Sequence, residues 1–297
     1  MNSSNFEIEK KIIIVFMLSA FAIIMAASSK ASASGIPLSV IGPHEYTLPV
    51  NYESFNAVVE YGYIQNDNKS FNTDGNKVSG PGTLTAVGLT KYVRFFTLKD
   101  LPNVGLAWEF ILPEISVQKT GVSASGLGDP LTGAAAWIKP TKNSTLGIQS
   151  YLSVPIGNDQ VSDKTWGSLT TLVGDVQLGN LDICGQTGYV IKSVRHQTGA
   201  SDVNPGNTFH ANLRTAYRLH KFVEPFFAAD FQTTEASKDE ATGNTIPNSA
   251  SNETTLGGGM VLNFTDTISL TARYDYGVYG KNTPVTNAFY FKIAYVW

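Results

Sequence analysis

The amino-acid sequence predicts an all-β chain, a transmembrane antiparallel up-and-down β-barrel of about twelve strands. Three observations carry that expectation. Apolar and polar residues alternate with a period of two over segments of about ten residues, as a wall facing lipid on one side and water on the other requires. Short turns alternate with long polar loops along the chain. One apolar leader opens the sequence, and no second apolar run long enough for a spanning helix follows it.

The leader runs from Lys11 to Ser28, behind the basic pair Lys10 and Lys11 and ahead of the small residues Ala31, Ser32 and Ala33. Its apolar core is about 16 residues, short for a membrane-spanning helix, so residues 1–33 are expected to be a secretory signal peptide cleaved after Ala33. Glu7 and Glu9 are unusual upstream of such a core and suggest a start site farther along. Residues 34–54 contain Pro37, Pro43 and Pro49 and show no alternation; they are expected to hang in the periplasm or to plug the lumen. Residues 55–297 form the barrel.

The last strand displays the pattern most plainly. Phe289, Phe291, Ile293, Tyr295 and Trp297 fall on one face, with Tyr290, Lys292 and Ala294 on the other. The same segregation appears at Leu146 to Ile156, at Phe209 to Leu219 and at Ile268 to Tyr276. Candidate strands lie near 55–65, 83–97, 104–117, 127–139, 144–157, 165–178, 181–193, 207–219, 222–234, 253–264, 267–279 and 286–297. Asn180, His220-Lys221 and Thr265-Asp266 mark short periplasmic turns, while the stretches after Gln65, Val194 and Thr233 are long, polar and outward. Lys91 and Arg94 have opposite parity, so one must be a bulge, a boundary residue or a snorkelling side chain.

Parity places Glu60, Glu109, Asp175, Asp182, Lys192, His210, Arg214, Arg218, Glu224, Asp230, Arg273, Asp275 and Lys292 on the inner face. Arg214 and Arg218 neighbour the strand of Glu224 and Asp230, and Lys292 is expected near Glu60 where the first and last strands close the ring. Two readings stand: a cross-strand salt-bridge network filling a narrow barrel, or charges lining a substrate path. Catalysis finds little support. Of the four histidines, His44 precedes the barrel, His196 lies in a loop, His220 lies in a turn, and His210 has no serine motif beside it. Cys184 cannot form an internal disulfide and is expected to be inert, no CxxC or HExxH motif offers a metal site, and no cofactor is expected. The glycines around Gly126 to Asp129 are followed by no helix or phosphate-loop lysine and mark the start of a strand. With 15% charged residues and a net charge of -3, the chain is not expected to bind nucleic acid.

The segments GLGDPLTGAAAWI from Gly126, LGIQSYLSVPIGN from Leu146, ANLRTAYRLH from Ala211 and the terminal YFKIAYVW resemble, in order and spacing, the outer-membrane family named for the meta-pathway of phenol degradation. That resemblance implies passive uptake of small hydrophobic or aromatic molecules across the outer membrane of a Gram-negative bacterium, and it transfers no defined site. Expected partners are outer-membrane lipid and lipopolysaccharide, the barrel-assembly machinery through the C-terminal strand, and a small hydrophobic ligand. A structural or adhesive surface barrel is the second reading, and an outer-membrane hydrolase the third.

Overall fold

A computed structural model describes residues 38–197 and 200–297; the expected leader lies outside these. Twelve antiparallel strands close into a single barrel. In chain order they are β1 (Phe55–Asn66), β2 (Leu84–Phe96), β3 (Val104–Lys119), β4 in two halves (Val122–Leu127 and Leu131–Ile138), β5 (Ser144–Ser153), β6 (Gly167–Leu178), β7 (Leu181–Lys192), β8 (Thr208–Tyr217), β9 (Val223–Thr234), β10 (Ser251–Asn263), β11 (Ile268–Lys281) and β12 (Asn287–Val296). Each strand pairs with its sequence neighbour, and β1 against β12 closes the ring, with Ala57 opposite Val296 and Gln65 opposite Ala288. Closure leaves no long free edge in the wall, as a sheet surrounded by hydrocarbon needs. No helix among the described residues is long and apolar enough to cross a membrane.

Side chains segregate as the period of two demands. Leu146, Ile148, Leu152, Leu172, Leu213, Phe227 and Phe289 point outward and are exposed, which is favourable only against lipid. Trp297 is exposed at the end of the outward row of β12, and its backbone exchanges two hydrogen bonds with Asn56, at 2.9 and 3.0 Å, fastening the chain terminus to β1.

The fourth strand differs from the expected 127–139. It begins at Val122, after a tight turn in which Gly121 takes a positive φ of 75°, and breaks at residues 128–130. The glycine-rich segment marks this break and not the start of the strand. Below it β4 pairs with both β3 and β5, whereas above it Val122–Leu127 pairs only with β3. Asp129 holds the segment that crosses this part of the wall, accepting hydrogen bonds from the backbone N–H groups of Gly157 at 2.9 Å and Lys164 at 2.8 Å. Val161 from the same segment packs on Val117 and Ala124.

Connections at one end are short (179–180, 218–222 and 264–267) and at the other mostly long (67–83, 193–207 and 235–250). The long loops carry small ladders of their own, Lys69–Phe71 with Lys77–Ser79 and Thr283–Pro284, and Val203–Asn204 with Lys238–Asp239.

Candidate functional site

Residues 38–54 enter at the short-turn end and run inside the ring, irregular in backbone and tied to the wall by side chains from many strands. An irregular segment satisfies few of its own carbonyls, here those of His44 and Tyr46, so the wall must supply donors for others. Arg214 on β8 and Arg273 on β11 do so together. Arg214 donates to the carbonyl oxygens of Ser39 (2.8 Å) and Ile41 (2.9 Å), and Arg273 donates to the same two at 2.6 and 3.2 Å. Each guanidinium keeps its own carboxylate, Arg214 with Asp230 at 2.8 Å and Arg273 with Asp275 at 3.0 Å. Tyr290 stacks under Arg273, its ring centre 4.1 Å from the guanidinium carbon, and its hydroxyl lies 2.9 Å from that of Ser39. All four charged residues are buried. Planar forks of fixed donors suit this task better than lysines would, because two acceptors are held at once.

Below that clamp the segment is gripped through its own side chains. Glu45 takes an ion pair from Lys292 at 2.8 Å and a hydrogen bond from Tyr61. Burial alone would raise its pKa, but the charges of Lys292 and Lys91 outweigh it and hold the carboxyl down at about 2. His44 lies between Glu224, 2.6 Å from Nε2, and Asp182, 3.1 Å from Nδ1. Burial lowers its pKa, yet the two carboxylates turn the balance and raise it overall. Tyr46 donates to Gln186, Thr47 to Asp175 at 2.9 Å, and Trp137 to the carbonyl of Pro49 at 2.7 Å.

The segment divides the interior in two. Toward the short-turn end lies a cavity of about 330 Å³, walled by Phe55, Phe95, Trp137, Tyr151, Val93 and Leu48. Glycines opposite the larger rings let them lie flat along the wall: a Cβ on Gly105 would stand 2.1 Å from the indole of Trp137, and one on Gly133 would stand 2.5 Å from the ring of Tyr151. Toward the long loops lies a second cavity of about 530 Å³ with more polar walls than the first, including Asp67, Asp163, Lys192, Arg195, Glu253 and Tyr290.

Comparison with known proteins places this architecture. The profile of the family described as "Putative MetA-pathway of phenol degradation" matches residues 66–293. The chain belongs to this family. Among solved structures, the COG4313 outer membrane channel from Pseudomonas putida F1 superimposes with a TM-score of 0.77 at 19% identity, over 86% of this chain and 100% of that one. The β domain of the Bordetella autotransporter BrkA reaches a TM-score of 0.50 at 11% identity, over 82% and 99%. No curated protein sequence matches the chain.

Within this family member the residues singled out from sequence fall into five groups, with Glu60 apart. Arg214, Asp230, Arg273 and Asp275 form the clamp. Lys292, Glu224, Asp175 and Asp182 hold residues 44–47, and Lys292 is partnered by Glu45 and not, as expected, placed beside Glu60. Glu109 pairs with Lys91 at 2.6 Å and accepts from Tyr151. His210 is buried, with Nδ1 3.1 Å from Asn212. At the margins, Lys192 bonds Asp163 in the second cavity. Arg218 lies just past the end of β8 with its side chain half exposed, and it donates to Glu224 from the rim at 3.1 Å.

Glu60 contradicts the expected parity. It is paired with Thr90 and Ile293, on the outer face that also carries Phe291, Leu112 and Glu114. Thr90 Oγ1 lies 2.7 Å from Glu60 and 3.1 Å from Glu114, so the two carboxylates share one hydroxyl while folded down under their neighbours. The conflict between Lys91 and Arg94 resolves by position: Lys91 points inward to Glu109, and Arg94 points outward at the rim, where it bonds Asn56 at 3.1 Å. Three contributors carry no clear signal in the sequence. His44 precedes the barrel, Glu45 sits in a segment without periodicity, and the ambiguous register of β2 hides Lys91.

Proposed function

We propose that this protein is a monomeric outer-membrane channel for passive uptake of small hydrophobic or aromatic compounds, with residues 38–54 as an internal plug that narrows the path. The observation that carries the reading is the aromatic cavity of about 330 Å³ inside a wall that elsewhere carries many paired charges. A barrel that only needed filling would have no use for rings that leave open volume between them, whereas an apolar solute gains contact with those rings and leaves water. The name of the Pseudomonas putida structure, an outer membrane channel, and the phenol-degradation label of the family support the same reading. The proposal takes in export through the apolar leader, insertion by the barrel-assembly machinery at β12, and contact with lipopolysaccharide at the long-loop end. Transport here needs no reacting group, and the mapped bonds of His210 serve Asn212.

Uptake of radiolabelled toluene-like and phenolic compounds by cells lacking the gene, against cells expressing it, tests this. Faster uptake with the protein is expected, and equal uptake for every compound overturns the reading.

A further inference from the structure

At one place the segment 38–54 meets a buried cluster on the wall, where Thr47 donates to Asp175 at 2.9 Å and the Cys184 thiol lies 3.7 Å from the Gly42 carbonyl, yet one carboxylate is left without a hydrogen bond. Cys184 and Asp175 are directly opposed across the β6–β7 ladder, and Asp182 lies two residues from Cys184 on the same inward face. The thiol and one oxygen of each carboxylate lie within 4.8 Å of one another, and all three residues are buried. Asp182 is 3% exposed, and neither of its carboxylate oxygens accepts a hydrogen bond, which is costly for a buried charge. Its near neighbour is His44 Nδ1, at 3.1 Å but not aligned as a hydrogen bond. The other nitrogen of that ring, Nε2, is committed to Glu224 at 2.6 Å. His44 lies outside this three-residue group, and its Nδ1 is also 3.4 Å from Thr47 Oγ1, so a small turn of the ring would bring it to a shared ion, with Glu224 at Nε2 orienting it as outer carboxylates orient zinc-binding histidines.

We propose that Asp175, Asp182, Cys184 and His44 form a binding site for a divalent cation of the zinc class, with Glu224 orienting His44. The donor set of one nitrogen, one sulfur and two carboxylate oxygens suits a borderline-soft ion in four-coordinate geometry, and disfavours magnesium or calcium. Binding releases the thiol proton from Cys184 and any proton on His44 Nδ1. The cation then carries two positive charges into a pair of carboxylates beside Cys184, whose cross-strand neighbour Arg214 is already engaged with Asp230. One ligand belongs to the interior segment and three to the wall, so occupancy fastens residues 38–54 in place. Motif reading could not find this site, because its ligands come from two strands and an irregular segment.

The test uses the refolded full-length barrel, treated with a chelator and then titrated with Zn²⁺ or Co²⁺. One equivalent should bind, and the cobalt form should show a thiolate-to-cobalt charge-transfer absorption. Cys184→Ser should abolish that absorption, Asp182→Asn should abolish tight binding, and Glu224→Gln should weaken affinity roughly 10- to 100-fold. Each variant is checked for folding by the heat-modifiable gel mobility of barrels. No binding by wild type, or binding that the folded variants retain unchanged, overturns the proposal. Should the variants not fold, the wild-type cobalt spectrum decides alone, since tight binding without the thiolate band excludes Cys184 as a ligand. None of these readouts depends on transport, so the site and the channel reading stand or fall separately.

Discussion

Two side chains show how a charge is carried by the wall, one on each face. Arg214 is fully buried, and its charge is tolerated because Asp230 and two backbone carbonyls surround it. Arg214→Ala should therefore destabilise the barrel by about 3 to 5 kcal/mol by leaving Asp230 buried and unpaired, while the double variant Arg214→Met with Asp230→Leu should recover most of the loss. Urea unfolding in lipid vesicles measures both; equal stability of the single and double variants contradicts the pairing. Glu60 makes the opposite case. It faces outward at the level of Ile293, midway between Phe289 and Trp297, where a carboxylate is poorly placed. Glu60→Gln should raise stability by about 1 kcal/mol in the same assay, and a loss of that size would place Glu60 in a polar environment instead.

At the scale of elements, the wall is legible in the sequence and its contents are not. In β12, β8 and most of β11 one row is apolar and the other carries charge, so parity reads directly. In β1 both rows are mostly apolar, because Ala57, Val59 and Tyr61 face inward against the interior segment and neighbouring core while Val58, Gly62 and Ile64 face out. Hydropathy cannot tell such rows apart, and so it assigns Glu60 to the wrong face. Residues 38–54 carry no period at all, since their position is set by donors on other strands. The interrupted β4 is visible only as a cluster of glycines, because a break in a ladder and a start of one share the same residues. Two predictions belong here. Asp129→Ala removes the acceptor for two backbone N–H groups, so amide exchange in residues 154–164 should rise at least tenfold with the rest of the barrel unchanged. Deleting residues 38–47 removes the carbonyls gripped by Arg214 and Arg273; single-channel conductance in planar bilayers should increase, and unchanged conductance contradicts a plugging role.

The whole molecule is a closed ring whose outer surface is selected for lipid and whose inner surface is selected for neutralised charge, with one aromatic cavity between the short-turn end and the interior segment. Many of the inward charges are paired, so in the proposed channel discrimination rests on apolar contact more than on the charge of the solute. The most direct test is solute flux into proteoliposomes containing the purified barrel. Small aromatic compounds should equilibrate much faster than sugars of similar mass, and Trp137→Ala together with Tyr151→Ala should reduce that preference. Equal rates for aromatic compounds and sugars, or aromatic flux no faster than in protein-free vesicles, would contradict the account.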